Sequence, residues 1–157
     1  MDWQTKHALI VYESKYGNTK RIAEAIVAGM KQVGEIDCKL ITPSEAQPDE
    51  LPRYDAILFG CPNHMQEPSR GVIGFIDRAA AVDLRGRISA AFDTYMGGNK
   101  GIAVVKLQRK IREKLPGLKL VAEGFSAEVK SRTGPLVDGE IVEAQEFGVR
   151  VGRALLG

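Results

Sequence analysis

The chain has 157 residues, a length that fits one domain, and 44% of them are hydrophobic, enough for a sizeable core. Its 22 lysines and arginines against 20 aspartates and glutamates leave a net charge of +2, which is no footprint of nucleic-acid binding. Cys38 and Cys61 lack metal-ligand spacing, Met1–Lys6 lacks the apolar stretch of a signal peptide, and no apolar run reaches membrane-spanning length. These features point to a cytoplasmic protein without a metal or a membrane segment.

Strand and helix patterns then alternate. Ala8–Tyr12 is an apolar strand. The loop Glu13-Ser14-Lys15-Tyr16-Gly17-Asn18-Thr19 leads into a helix that runs from near Thr19 to Gly34, with Ile22, Ile26, Met30 and Val33 on one side. Cys38–Ile41 is a short strand, and Thr42–Pro52 reads as a loop or short helix. Ala56–Phe59 is a wholly apolar strand ending at Gly60 and followed by Cys61-Pro62-Asn63-His64-Met65-Gln66. Arg70–Ala81 reads as a helix facing inward through Ile73, Ile76 and Ala80. After an Arg85-Gly86-Arg87 turn, Ile88–Phe92 is a strand followed by the glycine-rich run Asp93-Thr94-Tyr95-Met96-Gly97-Gly98-Asn99-Lys100-Gly101. The next helix, Gly101–Leu115, aligns Val104, Leu107, Ile111 and Leu115. Leu118–Phe125 is the fifth strand, and the last helix, Glu140–Leu155, aligns Ile141, Ala144, Gly148, Val151 and Leu155.

Five strands alternating with helices imply an α/β fold: a parallel sheet covered by helices on both faces. In such sheets ligands bind beyond the carboxyl ends of the strands, near the switch in strand order. That rule selects the loops Glu13–Thr19, Cys61–Ser69 and Asp93–Lys100. The first has the make-up of a phosphate cradle: the start of a helix offers free N–H groups and a positive dipole end, Gly17 allows a sharp turn, and Ser14, Tyr16, Asn18 and Thr19 can each donate a hydrogen bond. A plain helix cap by Asn18 or Thr19 is the alternative. The other two loops can wall a slot for a flat group. A phosphate at one end and a planar group at the other describes a mononucleotide.

These residues resemble the flavodoxin family over nearly the whole chain, from His7 to Leu155. Ser14–Thr19 is similar to the family's phosphate loop, Gly60-Cys61-Pro62 to its turn after strand three, and Ala90–Tyr95 with Gly97-Gly98 to its glycine-rich flavin loop. The segment from Gly134 to Gly148 resembles the end of the flavodoxin domain in diiron A-type flavoproteins. The resemblance implies a single three-layer domain over residues 1–157, with a doubly wound five-stranded parallel sheet in the order 2-1-3-4-5. It also implies noncovalent FMN. Ser14, Lys15, Tyr16, Gly17, Asn18 and Thr19 would hold the phosphate. Cys61, Pro62, Asn63, His64 and Met65, with Thr94, Tyr95, Met96, Gly97 and Gly98, would hold the isoalloxazine ring. The implied role is electron transfer between protein partners, as a monomer or weak dimer. An FMN-dependent reductase of quinones or other small acceptors is the alternative, and a non-redox phosphate-binding module of the same fold a further one. No Gly-x-Gly-x-x-Gly nicotinamide fingerprint is present, which favours the carrier.

Several residues depart from the family pattern. Many flavodoxins are strongly acidic and this chain is not, so its partner need not be the usual one. Met96 follows Tyr95 where the A-type domains often carry tryptophan, and the only tryptophan is Trp3, so Tyr95 is the candidate replacement ring. The loop after Pro62 lacks a glycine that often turns a carbonyl toward the flavin, and Asn63 is the substitute able to adopt a left-handed conformation. His64 could tune the flavin, while Cys61 reads mainly as a small apolar residue at a strand end. Lys106, Arg109, Lys110, Arg112 and Lys114 read as a charged outer helix face, with an acidic docking partner as the alternative. Asp93 would suit a phosphoacceptor only beside an acidic pair after strand one, which Glu13 alone does not supply. The connector Ala127–Asp138, with Lys130, Arg132 and Thr133, reads as a solvated surface loop, with a lid or partner surface as the alternative.

Overall fold

The computed structural model describes residues 5–157, so Trp3 lies outside the described residues. Strands β1 (Lys6–Tyr12), β2 (Ile36–Ile41), β3 (Ala56–Pro62) and β4 (Ile88–Tyr95) form a parallel sheet. Two further short strands, β5 (Lys119–Leu120) and β6 (Phe125–Glu128), both pair with β4. The order β2-β1-β3-β4-β5 is the one the family resemblance implies. Helices α1 (Asn18–Gln32) and α4 (Glu140–Leu156) cover one face, and α2 (Arg70–Ala79) and α3 (Ile102–Lys114) the other.

Alternation along the strands sorts the core into two halves. Ala8, Ile10, Leu58, Ala90 and Phe92 face α1 and α4. Leu9, Val11, Ile57, Phe59 and Ala91 face α2 and α3. Both faces of the central strands are therefore apolar, which is why these strands read as unbroken hydrophobic runs. Helices α1 and α4 approach backbone to backbone: a methyl group on Gly148 would strike the carbonyl oxygen of Ile26, and one on Gly29 that of Gln145.

Several elements differ from the sequence reading. Strand β3 runs on through Gly60-Cys61-Pro62 and β4 through Asp93-Thr94-Tyr95, residues read as loop. The fifth strand is split in two. Lys119–Leu120 pairs with Ile88–Ser89, and Phe125–Glu128 pairs with Phe92–Tyr95. The intervening Ala122-Glu123-Gly124 are weak strand formers, and Gly124 passes so close to α3 that a Cβ there would sit 2.6 Å from Val104 Cγ2. The ladder resumes as far as Glu128, so Ala127 and Glu128 belong to the sheet rather than to the connector. In α2 the buried face is Val72, Phe75, Ile76 and Ala79, whereas Ile73 is half-buried and Ala80 exposed. Burying Phe75, the largest side chain available, decides the rotation of that helix. Thr42–Pro52 contains a 3-10 helix, Pro48–Arg53. No helix among the described residues is long and apolar enough to cross a membrane.

Candidate functional site

The loops after β1, β3 and β4 meet at the carboxyl edge of the sheet around a cleft of 470 Å³. That volume falls within the roughly 300–1,000 Å³ of small-molecule sites. Of the residues the sequence selects, Ser14, Lys15, Tyr16, Asn18, Thr19, Pro62, Asn63, His64, Met65, Thr94, Tyr95 and Met96 line it. Gly17, Cys61, Gly97 and Gly98 do not. Cys61 is fully buried in the α2–α3 half of the core, its thiol pushed up to about 12 by burial, so it neither touches the cleft nor offers a thiolate. Three lining residues went unselected: Asn99, Val129 and Arg132. Asn99 lies in the glycine-rich run, where composition drew attention to the glycines. Val129 and Arg132 come from the connector, which reaches the cleft only because β6 carries the chain back along β4.

The first loop is built around Ser14 and Gly17. Gly17, not Asn18 or Thr19, occupies the cap of α1, with φ +91°, and no side chain at the cap bonds to the helix. A left-handed backbone at this point favours glycine, and a Cβ there would meet nothing within 4 Å, so the space before the helix is open. Ser14 Oγ accepts hydrogen bonds from the N–H groups of Gly17 (3.1 Å) and Lys20 (3.2 Å), which holds the loop in its curled form. Thr19 turns inward instead, where its hydroxyl meets that of Thr94 at 2.8 Å. That buried contact ties the first loop to β4.

The neighbouring Glu13 reaches the other way. Its carboxylate accepts from the Ser69 hydroxyl and from Val72 N–H (3.2 Å) at the start of α2. An anion there completes the free donors of the first turn and suits the helix dipole. The same device recurs on β4. Asp93 is fully buried and accepts from Val104 N–H (2.9 Å) at the start of α3 and from the Ser126 hydroxyl, which in turn accepts from Gly101 N–H (3.0 Å). Burial pushes the Asp93 carboxyl up to about 6 against these two hydrogen bonds. Asp93 is therefore a structural anchor for the far end of the glycine-rich loop and is not accessible as a phosphoacceptor.

The loops after β3 and β4 are tied mainly by their own polar groups. Asn63 does not take the left-handed conformation expected of it. Met65 (φ 51°) and Gln66 (φ 69°) do. Asn63 instead shapes the loop with its side chain: Oδ1 accepts from Gln66 N–H (2.8 Å) and Nδ2 donates to the Asn99 carbonyl (3.4 Å). Met65 is 86% exposed, and Met96 and Tyr16 are also well exposed. Tyr95 lines the cleft yet is only 7% exposed, a fixed wall rather than a free stacking ring. Burial, with the carboxylates of Glu128, Glu140 and Asp93, raises its phenol pKa, so Tyr95 stays neutral. Among the described residues no aspartate or glutamate lines the cleft, whereas Lys15 and Arg132 do.

A larger groove of 720 Å³ runs between α2 and α3. Two ion pairs bridge it, Lys106–Glu67 at 2.8 Å and Lys110–Asp77 at 2.8 Å. The carboxyl-edge cleft, with its uncompensated cations, apolar walls and open helix start, is the better site for an amphipathic anion.

A family model described as a flavodoxin domain matches residues 9–126. The chain belongs to the flavodoxin family. As a flavodoxin it is an FMN-binding protein of electron transport. It is 28% identical over 145 residues to a flavodoxin of Clostridium saccharobutylicum, with 90% of this chain and 89% of the relative covered. It is 29% identical over 156 residues to the type A flavoprotein fprA of Rhodobacter capsulatus, where 97% of this flavodoxin corresponds to 34% of the longer relative. The solved structure of a flavodoxin from the domain Archaea superposes with a TM-score of 0.79 at 26% identity, covering 95% of this chain and 98% of the other.

Proposed function

We infer that the cleft at the carboxyl edge holds FMN, with the phosphate on the Ser14–Thr19 loop and the isoalloxazine ring between the Asn63–Met65 and Thr94–Met96 segments. The observation that carries this reading is the convergence of three loops, far apart in sequence, on one cleft whose donor set changes along its length. At the α1 end stand hydroxyls, helix N–H groups and two cations. At the other end stand methionine, tyrosine and asparagine side chains. That gradient fits a ligand with an anionic tail and a flat, largely apolar head.

FMN, when bound, supplies reversible uptake and release of electrons, chemistry the side chains themselves lack. The protein's part is to place and shield it. Ser14, Asn18 and the first N–H groups of α1 hold the tail, and Thr94 fixes the height of that loop through Thr19. Tyr95, Met96 and Met65 exclude water from the ring faces, and Asn63 and Asn99 hold two of the walls together. The exposed methionines at the mouth leave an apolar patch for a redox partner. We assign the protein the role of a carrier between partner proteins, acting as a single flavin domain, monomeric or weakly dimeric. The two free thiols, Cys38 and Cys61, suit a reducing cytoplasm.

The test is the absorption spectrum of the purified protein with and without added FMN, followed by a titration for Kd. Saturable binding of one FMN at micromolar concentration is expected. No binding at that concentration overturns the reading. Enzyme-like turnover of a quinone with NADH or NADPH would favour a reductase over a carrier.

A further inference from the structure

The connector between β6 and α4 is an ordered hairpin laid across the phosphate end of the cleft. Val129 and Leu136 pair as an antiparallel bridge, and within it Lys130 N–H donates to the Pro135 carbonyl (2.8 Å), Gly134 N–H to the Ser131 carbonyl (2.9 Å) and Ser131 Oγ to the Gly134 carbonyl (2.6 Å). Its base is fixed to the sheet by Val129 N–H to the Tyr95 carbonyl (2.8 Å) and Val137 N–H to the Glu128 carbonyl (2.9 Å). Its tip is fixed to the phosphate loop: Asn18 Nδ2 donates to the Thr133 carbonyl (3.2 Å). The two chains are in such close contact that a Cβ on Gly134 (φ +102°) would sit 2.6 Å from Asn18 Oδ1. Only glycine fits both that backbone and that space.

The hairpin carries one cation into the cleft, Arg132. It stands against Tyr16, whose phenol pKa is lowered first by hydrogen bonding from the Arg132 guanidinium, with the charges of Arg132 and Lys15 adding to this against the opposing effect of burial. Lys15 Nζ lies 5.5 Å from the centre of the Tyr16 ring. Neither cation forms an ion pair among the described residues. Two uncompensated cations therefore flank the open start of α1.

We propose that the Val129–Leu136 hairpin is a phosphate strap, in which Arg132, with Lys15 beside the same loop, supplies the counter-charge to the FMN phosphate and makes the site select phosphorylated over unphosphorylated flavin. This rests on the FMN reading above. A guanidinium matches a phosphate geometrically as well as electrically, so it contributes where a phosphate is present and nothing where it is absent.

The test compares FMN with riboflavin as probes, by fluorescence titration of the full chain and its Arg132→Ala and Arg132→Lys variants at low and high salt. Arg132→Ala is expected to raise the Kd for FMN about 10–100-fold. The Kd for riboflavin is expected to stay unchanged, and Arg132→Lys to recover part of the loss. Added salt is expected to shrink the preference for FMN in the wild type and to act less on Arg132→Ala. Arg132 is exposed, so unchanged circular dichroism is expected for both variants. Equal weakening of FMN and riboflavin would make the strap a merely structural cover, and no change for either would remove Arg132 from the site; both overturn the proposal. If the wild type binds no FMN at all, it is the FMN reading that fails.

Discussion

The two ends of the cleft are built on different principles. The α1 end is held by neutral groups and by backbone: Ser14 on two N–H groups, Thr19 on Thr94, Asn18 on the hairpin tip. The other end is held by bonds within its own loops, Asn63 to Gln66 and Asn99, Asn99 to Met96, and a His64–Glu67 bridge. Its glycine-rich wall hangs from a buried carboxylate, Asp93, and its other wall passes through two left-handed residues that are not glycine. Thr94 and Asp93 are neighbours on β4 and point to opposite faces, so one strand serves both ends. The contrast teaches that anchoring and tuning are separable here. The α1 end is preorganised by bonds in which no carboxylate takes part. The other end carries the exposed Met65 and Met96, and its support, Asp93, titrates.

The largest effect expected of this contrast is on pH. The Asp93 carboxyl is raised to about 6 by burial, so the folded protein binds that proton more tightly than the unfolded chain does. For a raised acid pKa, stability falls as pH rises from the unfolded value through the folded one. Asp93→Asn keeps an acceptor for Val104 N–H and cannot ionise. It is expected to be more stable than the wild type at pH 7.5 by up to about 3 kcal/mol, with the difference gone near pH 4. Denaturant unfolding across that range checks it. Parallel curves for the two proteins would show that the hydrogen bonds to the charged form cancel the effect of its burial. The corresponding change at the other end is Thr19→Val, which strands the buried Thr94 hydroxyl. A loss of about 2 kcal/mol, or about 4–8 °C in Tm, is expected, with no pH dependence. The double variant Thr19→Val with Thr94→Val should regain most of it, because both polar groups are then gone. A double variant as unstable as the single would deny that this hydroxyl pair is the joint.

Gly17→Ala isolates the Ser14–Thr19 loop. Nothing lies within 4 Å of the added methyl, so the cost is the left-handed backbone alone, about 1–2 kcal/mol. If the curled loop is what grips the phosphate, the Kd for FMN should rise about 10-fold and that for riboflavin less. This loop was legible in the sequence because its chemistry is local: a strand, a glycine, hydroxyls and a helix start lie within a dozen residues. Alternation of strands and helices implies a parallel sheet, and only the family resemblance implies its order. What stayed hidden depends on contacts between distant segments. Arg132 reads as a solvated loop residue until β6 brings its connector beside Asn18. Cys61 reads as a cleft residue until strand alternation turns it toward α2 and α3. Asp93 gives no local hint of its role, because Val104 and Ser126 approach it only in the folded sheet.

The smallest effect is expected at the ring end itself, from Gln66→Gly. Gln66 has φ 69°, a conformation a side chain makes strained and glycine does not. Its structural contacts run through the backbone: its N–H donates to Asn63 Oδ1 at 2.8 Å, and its carbonyl accepts from Lys106 Nζ at 2.9 Å. Both survive the substitution. Relief of strain and the greater entropy of glycine in the unfolded chain are each about 1 kcal/mol and opposite in sign, so Tm should move by less than about 3 °C. An adjustable wall would also leave the Kd for FMN within about threefold, well short of the effect of Gly17→Ala. If Gln66→Gly weakens FMN as much as Gly17→Ala does, the left-handed pair Met65–Gln66 is as preorganised as the phosphate loop. The ring end would then be a fixed frame, its two strained residues held in place for the flavin.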